Sequence, residues 1–561
     1  MGRTAAILDQ DIAILFRSIA VCDADFGGTL ALKTKSYALG LALALSLPWL
    51  AHAEDPAPGP ANTTIDLKYW VEFAKQGNPA AQYGLGYRYA NGQGVEQDDA
   101  QAIDWYRKSA EQGNAQAQYA LAYMYASGRG VDADLKKAND WYLKAAQRGN
   151  ADAQYAIGYS FANGRGMNVD REEAVTWYQK AAAQDQAQAQ YALGYMYANG
   201  LGVHQDKAIA LGWYRKAADQ GRSDAQYAVG YMYDSGQGTE EDQEQALAWY
   251  KKAGDQGDAQ GLYAVGYAYE NGRGVERNET EAYSWYLRAA EKGRADAQYA
   301  VGYSLANGSG VARDYRQALG WYRKAADQGR PDAQYAIGYL YANGQGVKVD
   351  DVNAVKWYRK SAERGYAQGQ YALACMYAGG LGIAKDNARA FEWYGKAAAQ
   401  GHADAQYALG YMYDNGQGTR PDKAAAASWY RKAVDQNNSR GEYALASLYY
   451  QGAGIAKDYG QAAELFRKAA DQGDARAEYG LGYMYYNGYG VPKDSTIAAD
   501  WFNKAAAKGL PEAQHGLSYM EANGEGPIKD LGPLGQGTAG KKGAGDMTGW
   551  VIFHLLMVLV P

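Results

Sequence analysis

Pairs of tyrosines four residues apart are the most repeated chemical feature of the chain. They stand at Tyr83/Tyr87, Tyr119/Tyr123, Tyr155/Tyr159, Tyr191/Tyr195, Tyr227/Tyr231, Tyr263/Tyr267, Tyr299/Tyr303, Tyr335/Tyr339 and Tyr407/Tyr411, and again at Tyr479/Tyr483. Residues i and i+4 share one face of a helix, so each pair presents two phenol rings side by side. Such rings offer broad contact area, a hydroxyl and few rotatable bonds, which suits a surface that grips an extended peptide. Two placements stay open for the first tyrosine of each pair. It lines the same groove as the second, or it wedges between neighbouring repeats and leaves only the Tyr87 set reachable. Cys375 and Ser447 interrupt the series, which should make that stretch of the surface chemically distinct.

Other residue types that could do chemistry are scattered. Downstream of residue 53 the histidines are His204, His402, His515 and His554, too far apart in sequence to form a metal set or a nucleophile–base pair. The aspartates that recur from Asp98 to Asp494 hold one position per repeat without a close partner, the pattern of helix N-caps rather than of acid–base dyads. Gly92-Gln93-Gly94-Val95 and its relatives resemble a phosphate loop only superficially, since no strand precedes and no Lys-Ser/Thr follows. The chain therefore reads as non-catalytic, with no cofactor and no metal.

These residues are positioned by a repeat of thirty-six. The first tyrosine marks its register from Tyr83 to Tyr479, with His515 in the thirteenth place, and four repeat positions hold most of the 52 tyrosines. Self-similarity at such a period predicts stacked supersecondary units. Within a unit, Asn, Asp or Pro starts a first helix (Asn114, Asn150, Asp258, Asp474; Pro79, Pro331, Pro511), and a glycine such as Gly92 ends it. A second glycine, Gly94 and its equivalents, is expected to keep the turn tight. The second helix then runs from an acidic cap to a basic last turn at Lys108 and its equivalents, and is broken at Gly113 and its equivalents, where Asp185 and Asn437 depart. The helical period places Ala81, Leu85, residue 88 and Tyr89 in the core, with Gly86 approaching Ala102, and puts Tyr83, Tyr87, Ala90 and Asn91 opposite. Trp105, Tyr106 and their equivalents are expected to fill the space between units.

The pattern Ala-x-Tyr-x-Leu-Gly-x-x-Tyr-x-x-Gly-x-Gly-Val, continued by Asp, Ala, Trp-Tyr and Lys between Ala81 and Ala110, resembles the Sel-one-like repeat, a relative of the tetratricopeptide repeat. The resemblance covers about 63–526. It implies an all-α fold, a right-handed superhelical α-solenoid of about 12–13 helix-hairpin repeats, with first helices on the concave face and a scaffold or adaptor role. A secreted branch of the family carries a cysteine pair in each repeat and is linked to penicillin binding. This chain lacks those pairs, so that activity does not transfer.

Around the repeats, residues 1–53 read as an upstream extension plus a secretory signal. At 33–53 a basic start is followed by a short apolar run and an Ala-x-Ala site at Ala51 to Ala53. Acidic Asp9, Asp11, Asp23 and Asp25 argue that translation begins near Leu32, and cleavage before Glu54 is expected. Removal of Cys22 with that segment leaves Cys375 as the only cysteine and excludes an internal disulfide. Residues 54–62 read as a Pro-rich linker, 63–78 as an N-terminal capping half-repeat and 79–526 as the repeat array. Residues 527–561 read as a disordered Gly-rich stretch and an apolar tail about half a membrane span long. The predicted location is periplasmic or secreted, without integral membrane insertion after cleavage. A net charge of −6 with both signs mixed through every repeat offers no basic stripe, which excludes nucleic acid. The expected partner is a protein or peptide of the cell envelope. A cell-wall or exopolysaccharide glycan is the alternative, stacked on the tyrosines, with Asn91, Asn163, Asn199 and Asn271 as the available amide series.

Overall fold

The computed structural model describes residues 67–524, and among these it contains 26 helices and no strand. The signal, linker and tail readings lie outside the described residues. Helix Leu67–Lys75 comes first and a first helix, Pro511–Ala522, comes last. Twelve helix hairpins fill the interval, from Pro79–Asn91 paired with Asp99–Glu111 to Ala475–Asn487 paired with Ser495–Ala507. Two compact units result. Of the described residues, 67–304 with 309–312 form one, and 305–308 with 313–524 form the other. In each, every hairpin packs against the next in the chain, as expected of an array held by nearest-neighbour contacts.

The punctuation works as its residue types require. Asn114 accepts the Ala117 amide at 2.9 Å and Asp98 accepts the Gln101 amide at 2.9 Å. A carboxylate or amide at the same place opens every second helix from Asp98 to Asp494. Those amide hydrogen bonds lower the pKa of Asp134, Asp242, Asp314 and Asp350, so these groups stay ionised as caps. First helices end on a left-handed glycine, φ 66° at Gly92 and at Gly200. Asp185 and Asn437 take left-handed backbone without being glycine, with φ 60° and 58°, at the two places where the repeat departs from glycine. Aspartate and asparagine tolerate that region best among side-chain-bearing residues.

The second glycine of each loop does more than tighten a turn. A Cβ at Gly202 would fall on the Arg171 carbonyl, one at Gly238 on the Lys207 carbonyl and one at Gly274 on the Gln243 carbonyl. Each of these three loops thus rests, backbone to backbone, on the first turn of the preceding repeat's second helix.

Inside a hairpin the core is Leu85 and Tyr106 with their equivalents. Leu121, Ile157 and Leu193 are fully buried, as are Tyr106, Tyr142, Tyr286 and Tyr430. The Tyr106 ring lies on Gly86, where an added Cβ would stand 2.7 Å from the ring and 3.2 Å from the Ala102 carbonyl. The Tyr106 set thus fills the hairpin, and it also reaches the next one, where a Cβ at Gly480 would meet Phe466 and one at Gly516 would meet Phe502; the tryptophans bridge hairpins as well. Trp285 packs on Gly254 of the preceding second helix, and Trp177 joins the cluster around Tyr142 and Ala146. The tryptophans' outer faces are covered by the basic residue three places on, with Lys108 Nζ 4.2 Å from the Trp105 ring centre and Lys252 Nζ 3.6 Å from that of Trp249. The basic last turn therefore acts by cation–π contact as well as by the helix dipole.

Hairpins are also joined by a polar seam. The buried Gln226 donates to the Ala218 carbonyl of the preceding second helix at 3.2 Å and accepts from Gln256 of its own hairpin at 2.7 Å. The pairs Gln82/Gln112, Gln190/Gln220 and Gln370/Gln400 repeat the contact within a hairpin. At the end of the array the buried partners are Glu442, which accepts from Gln472, and Glu478, paired with Lys508 at 2.7 Å.

Candidate functional site

The first-helix face holds both tyrosine series, and the structure separates them. Tyr83, Tyr119 and Tyr191 are buried, while Tyr155, Tyr227, Tyr263, Tyr299, Tyr335 and Tyr407 are half-buried. Their rings lean on the Tyr106 set, with centres 5.8 Å apart for Tyr83/Tyr106 and 5.3 Å for Tyr191/Tyr214. Burial pushes the Tyr83 and Tyr155 hydroxyls up to about 12. The next repeat contributes a lid. Arg222 lies 5.0 Å over the Tyr191 ring, Arg294 4.7 Å over Tyr263 and Arg476 4.8 Å over Tyr443. Tyr366 meets Tyr335 edge-on at 5.9 Å, and His402 stacks on Tyr371 at 4.6 Å. At Tyr191, Tyr263 and Tyr335 the first tyrosine of the pair is therefore a wedge between repeats. Of the two placements the sequence left open, the packing at these three repeats matches this one.

The second series lies at a uniform depth. Tyr87, Tyr123, Tyr159, Tyr195, Tyr231, Tyr267, Tyr303, Tyr339 and Tyr411 are all half-buried. The backbone under them is fixed locally. Asn91 Nδ2 donates to the Tyr87 carbonyl at 2.9 Å, and Asn163, Asn199 and Asn271 do the same at Tyr159, Tyr195 and Tyr267. One N–H of each amide is spent on the helix, which leaves its second N–H and its carbonyl oxygen for another partner. Where the tyrosine is replaced, the substitutes are buried. Cys375 accepts from the Tyr394 hydroxyl at 3.2 Å and Ser447 donates to the Tyr443 carbonyl at 2.9 Å.

Several polar contacts were not readable as a site in the sequence. At the place of Ala90, three repeats carry an acid that meets the buried tyrosine of its own hairpin. Tyr286 donates to Glu270 at 2.7 Å, Tyr430 approaches Asp414 at 3.5 Å, and Tyr250 pairs with Asp234. Burial raises the pKa of Asp234 and Glu270. The residue substitution at that position was the only available signal. Among the described residues no group of three or more His, Cys, Asp and Glu side chains gathers to hold a metal ion.

His402 is a cap as well as a lid. Its Nδ1 accepts the Ala405 amide at 3.3 Å, which needs the neutral ring, and burial lowers its pKa against the opposing pull of Asp404. A lowered folded pKa gives stability that is present above pH 6.5 and is lost as pH falls through the folded value. Asp234, Asp258, Glu270 and Glu442 have raised pKa values and so act in the opposite sense. The informative quantity is therefore a difference. His402→Asn keeps a cap acceptor, as Asn438 does, and the stability gap between wild type and variant should shrink or reverse from pH 7 to pH 5. Urea midpoints at both pH values measure it, and a gap independent of pH would sink the assignment.

Comparison with known proteins places this geometry in a family. The Sel1 repeat matches thirteen consecutive times, from 79–114 to 511–532. Among solved structures, a protective antigen present in uropathogenic Escherichia coli strains, displaying an SLR fold, is 38% identical with a TM-score of 0.70. The match covers 75% of this chain and 90% of that one. A Sel1 repeat protein from Oxalobacter formigenes is 34% identical over 55% of this chain and 89% of its own, with a TM-score of 0.45. No curated protein matches the chain. With a repeat that matches from Pro79 onward in unbroken register and helix hairpins packed in sequence, the chain belongs to the Sel1 repeat family.

Proposed function

We propose that the chain is an exported, non-catalytic scaffold that holds an extended segment of an envelope protein along its first-helix face, on the Tyr87 series. The observation that carries this reading is the sorting of the two tyrosine series. The first ring leans on the Tyr106 set of its own hairpin, whereas the second is half-buried in all nine pairs at a fixed register, with its carbonyl clamped by the residue four places on. A pre-positioned aromatic loses little side-chain entropy on binding, so many repeats can each add a modest increment. Sel1 repeat proteins generally serve as protein-interaction scaffolds, which supports a protein partner.

The test replaces Tyr195, Tyr231, Tyr267 and Tyr303 together by alanine and compares capture from envelope extract with that of the unaltered chain. Truncation of an aromatic anchor costs about 1–2 kcal/mol, so four should lower partner recovery at least about tenfold. Circular dichroism must show the helical content retained. Identical partner lists would remove the groove from the argument.

A further inference from the structure

Each first helix has two rim positions that face the tyrosine wedges, its N-cap and the residue two places on. Arginine occupies one or the other five times, as Arg222, Arg294, Arg330, Arg440 and Arg476. Four of these have an aspartate at the companion position and use it. Arg222 pairs with Asp224 at 2.7 Å, Arg294 with Asp296 at 2.9 Å, Arg330 with Asp332, and Arg476 with Asp474 at 3.1 Å. Arg440 has Asn438 as its companion instead. That amide is doubly committed, its oxygen capping the Gly441 amide at 2.8 Å and its nitrogen donating to Asp404 Oδ1 at 2.8 Å. Among the described residues no ion pair includes Arg440, which is half-buried.

The position of that cation is specific. Arg440 is the second residue of its first helix, Ser439–Gln451, at the place from which Arg476 covers Tyr443 one repeat on, and its charge opposes the rise that burial gives the Tyr371 and Tyr407 hydroxyls. Its own helix carries Ser447 where the second series has tyrosine, and Cys375 makes the same replacement two repeats earlier. The unneutralised charge therefore sits where the tyrosine series is broken on both sides of Tyr411. The geometry points to Arg440 as the anchor for one acidic side chain of an extended protein segment laid along the first helices of the C-terminal unit. This rests on the peptide-binding reading above and adds a sequence requirement to it. A guanidinium pairs with a carboxylate through two parallel hydrogen bonds, and more firmly when half-buried than when free in water. One isolated cation on a rim that also carries Asp332, Asp404 and Asp474 suits one carboxylate and repels a phosphate polymer.

The experiment uses the full chain as wild type, Arg440→Gln and Asn438→Asp. The second variant restores the missing mate, since Asp474 already serves Arg476 from the cap position. The probe is an array of short extended synthetic peptides, matched in aromatic content and differing only in a single Glu, Gln or Lys. Wild type should retain Glu peptides about tenfold more tightly than their Gln counterparts, the equivalent of about 1.4 kcal/mol. Both variants should lose that preference while still binding the Gln peptides. A wild type that binds peptides without favouring Glu, or a preference that survives in both variants, overturns the role of Arg440 and leaves the scaffold reading intact. Failure of wild type to bind any peptide would instead remove the peptide-binding reading itself. Equal retention of a uronic-acid polymer, abolished by the same variants, would assign the anchor to a glycan and overturn the protein-segment proposal.

Discussion

Gly202→Ala is expected to destabilise the array far more than Gly200→Ala, although both residues sit in one loop at nearly the same φ, 68° and 66°. Left-handed backbone costs a residue with a Cβ about 1–2 kcal/mol at either place. At Gly200 the added carbon would meet Gln205 Cβ at 3.2 Å, a side chain able to give. At Gly202 it would fall on the Arg171 carbonyl, which is part of a helix and cannot move without separating two repeats. Forcing atoms into a packed contact adds about 1–3 kcal/mol, so Gly202→Ala should cost roughly 2–5 kcal/mol in total. Because repeats touch only their neighbours, the loss falls on a single interface, and urea unfolding should broaden or split into two steps. Equal costs for the two variants would show that the second glycine serves only its own turn.

Much of this architecture was legible because the repeat averages over its own exceptions. Asp98 and its equivalents, the paired glycines and the period of thirty-six each recur often enough to define caps, turns and hairpins. Even the two departures from glycine, Asp185 and Asn437, fell where left-handed backbone was required. What the sequence could not resolve was depth on a shared face. Tyr83 and Tyr87 are equivalent on a helical wheel, and only the neighbouring repeat decides that the first is covered, by Arg222 over Tyr191 or His402 over Tyr371. The same limit explains the Tyr106 set. A wheel drawn for one helix cannot show that a ring lying on the glycine of its own hairpin, as Phe502 does at Gly482, also reaches the next hairpin, as it does at Gly516.

The glutamine seam was missed for a different reason. Gln82 and its equivalents look like surface polar residues by type, yet Gln226 is buried because both ends of its amide are matched, by a carbonyl from the preceding repeat and by Gln256. A buried amide is tolerated only when its hydrogen bonds are made. That condition depends on residues far away in sequence, so composition alone carries no sign of it. The arginine rim has the same character, since the lack of an acid beside Arg440 has meaning only once the four paired arginines are seen in place.

The buried tyrosines should divide sharply when their hydroxyls are removed. Tyr214 is 2% exposed, lies against Gly194, and has a buried hydroxyl without a hydrogen-bond partner among the described residues. Phe466 and Phe502 already occupy the same place in the last two hairpins. Tyr214→Phe should therefore be neutral or stabilise by up to about 1 kcal/mol, whereas Tyr214→Ala, which empties the hairpin core, should cost about 3–5 kcal/mol. Tyr286 differs because it donates to Glu270. Tyr286→Phe leaves a largely buried carboxylate short of a donor, at a cost of about 1–3 kcal/mol. The pH dependence separates the two cases further. Glu270 has a raised pKa, chiefly from burial and opposed by the Tyr286 hydroxyl. Its contribution is therefore fully present below the usual value of 4.5 and declines as pH rises through the folded value. Removing the hydroxyl raises that pKa further, so the cost of Tyr286→Phe should grow from pH 4 to pH 7 while that of Tyr214→Phe stays flat. Urea titrations of the three variants at both pH values measure this, and a costly Tyr214→Phe beside a neutral, pH-independent Tyr286→Phe would refute the assignment of the two hydroxyls.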